Sequence, residues 1–387
     1  MPAKPRVYLV AHEVHDRGGM EHVTAQLIRY GHRDIDFIVL SRELASDLQP
    51  LVDWWPINTP AAPFPLKFVT FALAAGWKLR GRHDGIVHTL GAVVPNRVDL
   101  VTVHMAHAAL VRHLGRLTTS GGGLPRRLNA AISRLLALGA ERWSYRPTRT
   151  RRLAGVSRGV ADECLAQYGH PDVVVTPNGV DVERFAQNES VRREMRVNVP
   201  VGSVVSVFVG GEWGRKGLDL VLRAIVDVPE IQLWVVGDGA GETVAMKRLA
   251  ESLGVAGRVN FVGAQADTAR FYSGADVFVL PSSYETFSLA AHEAAAASLP
   301  LVASRVHGVD ELVDLHGGGL LVDRNPKAIK DALTHLIINP LIRTAMGESA
   351  RSAVESRTWE ISARSTVTQY LDLGASPRGQ AAGPAPS

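Results

Sequence analysis

The sequence predicts two doubly wound α/β domains, each a parallel sheet covered by helices on both faces. Three observations carry this. Short apolar runs alternate with longer stretches of helical period through both halves of the chain, which reads as repeated strand–helix units. At 387 residues the chain is too long for one ordinary core, so two domains of about 190 residues are expected. Each half supplies enough candidate strands for one such domain.

In order, the strands of the first half are Arg6–Ala11, Ile35–Leu40, Gly85–Leu90, Leu100–His104, Arg152–Val156 and Val173–Thr176. Those of the second are Val204–Val209, Gln232–Val236, Val259–Val262, Val277–Leu280, Leu301–Ala303 and Gly319–Val322. Pro177, Asn178 and Gly179 make a turn between the sets, followed by a polar stretch. Helices remain around Lys327–Ile338, Leu341–Ser356 and Thr358–Leu373. The expected organisation is therefore a first domain over 1–176, a second over 177–357, a helix over 358–373 packing back on the first domain, and a disordered Gly/Ala/Pro/Ser tail over 374–387.

Composition excludes several classes. One cysteine, Cys164, builds neither an internal disulfide nor a metal cluster, and favours a reducing, cytoplasmic setting. Met1–Leu9 lacks a signal-peptide core, and the most apolar window, Phe68–Trp77, is about half the length that spans a bilayer. The net charge of +4 conceals an asymmetry: 22 Lys and Arg against 13 acids up to residue 170, then 20 against 25, or +9 and −5. Much of the excess lies between Met105 and Arg152, with ten arginines including Arg112, Arg116, Arg126, Arg127 and Arg134, one acid, Glu141, and interleaved leucines. Such a segment suits an anionic lipid surface or an anionic acceptor. Without an aromatic stacking platform, nucleic acid is not expected.

In open parallel sheets, ligands sit outside the carboxyl ends of the strands, so the loops there are searched first. Glu285-Thr-Phe-Ser-Leu-Ala-Ala-His-Glu293 follows the strand Val277–Leu280. On one helix its two glutamates would lie roughly 80° apart in angle and about 12 Å apart in height, suited to gripping opposite ends of an elongated ligand. The helix N-terminus near Phe287–Leu289 offers free N–H groups to phosphates. Phe208-Val-Gly-Gly-Glu-Trp-Gly-Arg-Lys-Gly217 ends a strand and opens a helix, where Arg215 and Lys216 oppose the helix dipole unless an anion joins them. Gly18-Gly19 after the first strand lets backbone N–H groups approach an anion. Gly237-Asp-Gly-Ala-Gly241 is an incomplete dinucleotide fingerprint, and Asp34-Ile-Asp36 is given no role.

The run Asp276-Val-Phe-Val-Leu-Pro-Ser-Ser-Tyr-Glu285, then Glu293-Ala-Ala-Ala-Ala-Ser-Leu-Pro300 and Gly308-Val-Asp-Glu311, resembles the donor-binding domain of family 4 retaining glycosyltransferases. The likeness extends to Pro177-Asn-Gly-Val-Asp181, Val156-Ser-Arg158, Val236-Gly-Asp-Gly239, Phe261-Val-Gly263 and Trp359. It implies the GT-B fold, two Rossmann-like domains facing a central cleft, with acceptor and donor halves.

It also implies roles. Arg215 and Lys216 neutralise a departing nucleoside diphosphate, Glu285 and His104 hold the transferred sugar, and Glu293 holds the ribose. Gly18, Gly19, Thr286, Phe287, Ser288 and Leu289 complete the donor site. The donor is a nucleotide sugar, with UDP favoured over GDP. No metal or other cofactor is implied, and the acceptor is a glycan, a glycolipid or a small molecule. Peripheral contact with the inner face of the cell membrane is expected.

Some positions depart from the family pattern. Ser288 and Ser298 stand where glycine is frequent, and Gly211 where many relatives carry arginine. The Arg-Lys-Gly run is similar to that of heptose-modifying glucosyltransferases of lipopolysaccharide. His107 is the alternative to His104. A nucleotide-sugar epimerase or hydrolase, or a degenerate binding protein on the same scaffold, are the competing readings.

Overall fold

A computed structural model describes residues 4–60, 62–114, 124–239 and 241–375, without the side chains of 114 and 124–127. Two compact units emerge: the chain up to Gly179 together with the residues from Trp359 on, and Val180–Thr358.

The first unit runs through β1 (Arg6–Val10), β2 (Glu13–Val14), α1 (Gly19–Gly31), β3 (Asp36–Ser41), β4 (Glu43–Leu44), β5 (Asp53–Pro56) and α2 (Phe64–Lys78). It continues with β6 (Ile86–Leu90), β7 (Val98–Val103), α3 (His107–Leu114), α4 (Leu124–Ser144), β8 (Thr150–Gly155), α5 (Arg158–Tyr168) and β9 (Val173–Val175). Seven strands form one parallel sheet in the order β5-β3-β1-β6-β7-β8-β9. Central strands read as unbroken apolar runs because helices cover both faces; all six residues of β7 are buried.

Two features of this unit escape the apolar pattern. Strand β5 pairs with β3 from Asp53 to Pro56, and its polar start and proline are tolerated because it is an edge strand. The two-residue pair β2–β4 is too short to show any period.

The second unit comprises α6 (Glu189–Met195), β10 (Val204–Val209), α7 (Trp213–Lys216), α8 (Leu218–Ala224), β11 (Ile231–Val236), α9 (Thr243–Ser252), β12 (Val259–Gly263) and α10 (Ala269–Gly274). Then come β13 (Val277–Leu280), α11 (Leu289–Ala296), β14 (Leu301–Ala303), β15 (Gly319–Leu321), α12 (Pro326–Ile338) and α13 (Pro340–Val354). Its six parallel strands are ordered β12-β11-β10-β13-β14-β15. Asp276 staples the start of β13 to β10: it accepts the Val205 N–H at 2.7 Å and is gripped by Arg192 and Arg196.

The last helix, α14 (Trp359–Ala375), returns to the first unit and packs against α1. Its fully buried Tyr370 sets a hydroxyl 2.7 Å from His88 Nδ1. Gly374 and Ala375, expected in the tail, continue this helix instead. The rest of that tail, 376–387, lies outside the described residues.

Candidate active site

Strand order places the site. In the second unit the chain moves outward from β10 through β11 to β12, then returns to β13 on the other side of β10. Ligands bind where the order reverses in this way. The two loops leaving this point, after β10 and after β13, carry Arg215 with Lys216 and Glu285 with Ser288.

These loops are joined by charge. Glu285 Oε1 accepts from Lys216 Nζ at 3.0 Å, from Arg215 at 3.2 Å and from Ser282 Oγ at 2.8 Å. Lys216 and Glu285 are each only 9% exposed. Arg215 also donates to the Tyr284 carbonyl and to Glu212 at 2.8 Å, and its own carbonyl accepts from the Ser283 N–H at 2.9 Å. Burial pushes the Glu285 carboxyl up, but Lys216, Arg215 and the Ser282 hydroxyl outweigh it and hold it below its ordinary range. The result is a buried Lys216–Glu285 pair extended by the part-buried Arg215 to the exposed Glu212.

Glycine is required beneath it. Gly210 has φ +132°, and a Cβ there would lie 2.6 Å from Lys216 Cε, so the lysine lies against bare backbone. Gly217, at φ +78°, ends α7 and begins α8, with the Pro281 carbonyl 2.6 Å from its would-be Cβ. Arg215 and Lys216 thus occupy the last turn of a four-residue helix, not the first turn of a longer one. The expected dipole penalty does not arise.

Helix α11 begins later than an unbroken Glu285–Glu293 helix would require. Ser288 stands at its N-cap with φ +61°, so Glu285 lies in the preceding loop and only Glu293 projects from α11. The 80° and 12 Å relation does not apply. Ser288 is buried, and its Oγ has no hydrogen-bond partner among the described residues. Thr286 and Phe287 lead into this cap, and Leu289 is the first helical residue.

Glu293 accepts the Tyr272 hydroxyl at 2.8 Å. Burial pushes its carboxyl up, and Tyr272, Arg184 and Lys216 offset this only in part. Behind it His292 stacks on Phe287 at 3.9 Å. Arg357 donates to His292 Nε2 at 3.3 Å, which leaves the proton on Nδ1 to bond the Ser288 carbonyl at 3.0 Å. Burial drives this imidazole down to about 3. Ser282 was visible in the sequence only as part of a turn; Tyr272, His292 and Arg357 gave no signal.

In the first unit, Gly18 is the N-cap of α1 with φ +87°, and Gly19 is its first residue. A Cβ on Gly18 would meet a Glu21 carboxylate oxygen at 2.5 Å, so this cap already faces an internal acid. His104 follows β7, buried, with no partner for Nε2 among the described residues; burial lowers it to about 4. His107 is engaged instead: its Nδ1 lies 2.6 Å from Glu141, which also accepts the Tyr168 hydroxyl at 2.7 Å. His12, after β1, is a second buried imidazole with unpartnered nitrogens that the sequence did not flag.

Of the basic residues, Arg112 donates to Gln167 and Arg134 sits half-buried on α4. Arg116 lies outside the described residues, as do the side chains of Arg126 and Arg127. No helix among the described residues is long and apolar enough to cross a membrane.

Residues 17–184 match the family model described as Glycosyltransferase Family 4, and residues 203–339 match that for Glycosyl transferases group 1. A D-inositol 3-phosphate glycosyltransferase of Corynebacterium jeikeium is 36% identical over 51% of this chain and 51% of its own length, so that alignment spans about half of the relative. One of Saccharomonospora viridis is 28% identical over 95% of this chain and 92% of its own.

Among solved structures, the lipopolysaccharide glycosyltransferase WaaG matches with a TM-score of 0.78 at 18% identity, over 94% of this chain and 99% of WaaG. Sucrose-phosphate synthase of Thermosynechococcus elongatus gives 0.77 at 20%, over 96% and 100%. Anabaena HepE, solved with UDP and glucose, gives 0.71 at 14%, over 95% and 99%. With a family model matched in each unit and a shared fold along nearly the whole chain, the protein belongs to the family 4, group 1 glycosyltransferases of the GT-B fold.

Proposed function

We propose that this glycosyltransferase moves a sugar from a nucleoside-diphosphate sugar, a UDP-sugar, to an acceptor hydroxyl with retention of anomeric configuration and without a metal ion. The carrying observation is the buried Lys216–Glu285–Arg215 cluster at the switch point of the second sheet. Phosphate groups leaving with negative charge need preorganised positive charge, and two cations with the free N–H groups at the start of α11 provide it within one unit.

In this reading the bond between the anomeric carbon and the β-phosphate oxygen breaks. The acceptor oxygen bonds the same face of that carbon, and the departing diphosphate takes the acceptor's proton. Arg215 and Lys216 stabilise the leaving group. Glu293, held by Tyr272, takes ribose hydroxyls, and Glu285 takes hydroxyls of the sugar. His104 contributes a neutral ring whose Nε2 is free to accept from a further sugar hydroxyl. Thr286, Phe287, Ser288 and Leu289 present the α11 terminus to the diphosphate; in the first unit the Gly18–Gly19 cap of α1, a donor-site candidate by resemblance, faces Glu21.

The names of the similar proteins support a phosphorylated polyol acceptor, and HepE supports UDP. The arginine-rich segment between Met105 and Arg152 suits such an acceptor and peripheral contact with an anionic membrane.

Thermal denaturation with UDP, GDP and ADP tests the donor site, since a ligand bound only to the folded state raises the midpoint. UDP is expected to give the largest rise. Lys216→Ala should lower turnover about a hundredfold or more with UDP binding still measurable; a change within about twofold refutes the leaving-group role. Product formed without an acceptor would instead identify an epimerase or hydrolase. No turnover with any acceptor, despite nucleotide binding, would identify a degenerate binding protein.

A further inference from the structure

Helix α2 presents an apolar stripe to solvent. Leu66, Val69, Leu73 and Trp77 recur at spacings of three, four and four, which places them on one face, and they are 47%, 39%, 63% and 74% exposed. Beside it packs α4, whose Leu128, Ile132 and Leu135 share a face at the same spacing and are exposed too. Soluble surfaces carry isolated apolar side chains, whereas a contiguous ridge on two neighbouring helices marks a contact surface.

The two helices are tied at one end. Asn96 donates to the Gly76 carbonyl at 3.1 Å, and Arg149 donates to the adjacent Pro95 carbonyl at 3.4 Å. That end carries an aromatic and cationic rim. The Arg149 guanidinium lies 4.0 Å over the half-exposed Trp143 ring. Trp77 borders an open groove of about 630 Å³ shared with Trp54, Trp55, Lys78, Arg80 and Arg82.

Charge selects the occupant. From Trp54 to His83 the chain has four cations and no acid; Lys67 is paired with Glu13 and Trp55 bonds the neighbouring Asp53, which leaves Lys78, Arg80 and Arg82 as the excess. In α4 the only acid, Glu141, is buried against His107 and Tyr168. A second copy of the chain would oppose cation to cation around the ridge. Apolar side chains flanked by tryptophans and by Lys and Arg instead match the layered chemistry of a bilayer surface: acyl chains below, and anionic head groups at the level of the rings and cations.

We infer that the α2–α4 ridge inserts into the interface of an anionic membrane, with Leu73 as its deepest residue and Trp77, Lys78, Arg80, Arg82 and Arg149 in the head-group layer. This rests on the membrane contact proposed above and moves its apolar anchor to α2, outside the arginine-rich segment.

Because Cys164 is buried, an environment-sensitive fluorophore can be attached selectively to Leu73→Cys, with Val244→Cys in the other unit, also exposed, as control. Vesicles of phosphatidylcholine with phosphatidylglycerol should shift the emission at position 73 to the blue and leave position 244 unchanged; phosphatidylcholine alone should do neither. Leu73→Glu with Trp77→Ser should lower sedimentation with anionic vesicles at least about tenfold while transfer to a soluble acceptor is kept.

Wild-type sedimentation with an unshifted label at 73, or sedimentation unchanged in the double variant, overturns the α2 anchor and leaves contact through the arginines standing. No wild-type sedimentation overturns both, while glycosyl transfer is judged separately by UDP binding. A blue shift that grows with protein concentration without vesicles overturns the inference in favour of self-association.

Discussion

Replacing Glu285 by glutamine keeps the side chain's shape and removes one charge from the centre of the cluster. Lys216 Nζ, 3.0 Å from the carboxylate on a buried side chain, then loses its counter-ion in a site that water reaches poorly. Arg215 is less affected, because Glu212 at 2.8 Å and the Tyr284 carbonyl remain. Removing one partner of a buried pair costs about 3–5 kcal/mol. The glutamine oxygen still accepts a hydrogen bond and Arg215 is partly solvated, so a loss at or just below the bottom of that range, about 2–3 kcal/mol, is expected. For a domain of this size that is a fall of about 4–12 °C in Tm.

UDP should reverse much of this loss, because the diphosphate supplies the missing negative charge and no longer competes with a carboxylate for Lys216. The variant should therefore show a larger UDP-induced rise in Tm than the wild type, and UDP affinity equal or up to about tenfold tighter, while sugar transfer falls by about a hundredfold or more. Calorimetry of UDP binding and denaturation with and without UDP read these terms separately. If Glu285→Gln weakens UDP binding more than about fivefold, or leaves the Tm of the free protein unchanged, the carboxylate does not hold Lys216 in the way described.

Gly210→Ala should push Lys216 off the backbone at a positive φ, with turnover at least about tenfold lower and stability reduced by about 1–2 kcal/mol, measured by steady-state kinetics and denaturant titration. Ser298→Gly should do the opposite to stability. Ser298 has φ +55° after α11, so glycine is expected to raise the Tm by about 1–3 °C without altering kinetics.

Buried imidazoles make the fold acid-sensitive. His88 and His292 are lowered to about 3, and His12 and His104 to about 4. The unfolded chain therefore binds more protons below the ordinary value of 6.5, and stability is lost as pH falls through 6.5 towards these values. For His292 alone the loss between pH 7 and 5 is about 2 kcal/mol, and His292→Phe should flatten that part of the stability–pH curve. His107→Ala should cost stability by removing one partner of the buried Glu141, which keeps the Tyr168 hydroxyl and the backbone N–H of residue 107, whereas His104→Ala should cost activity with little change in Tm; the reverse pattern would exchange their roles.

Much of the scaffold is legible in the chain because parallel strands buried on both faces read as uninterrupted apolar runs, as in Val204–Val209 and Val277–Leu280. Strand Asp53–Pro56 is not, since an edge strand needs neither the pattern nor a full set of N–H donors. The candidate residues Arg215, Lys216 and Glu285 could be picked out from the loops after β10 and β13, because strand ends fix where ligands meet an open sheet.

The pairing of those residues could not. Lys216 and Glu285 are brought together by the adjacency of β10 and β13, a long-range relation with no local trace. A single left-handed residue, Ser288, shifts the start of α11 and takes Glu285 off the helix on which spacing alone placed it. The same shift changes the electrostatics. A glutamate on the helix face would leave Lys216 uncompensated and Arg215 with Glu212 alone in the free protein, whereas one in the loop neutralises part of their charge before any ligand arrives. An acidic half of the chain can therefore keep a cationic site: its cations are stored paired, and in the proposed reaction a diphosphate would displace the carboxylate from them.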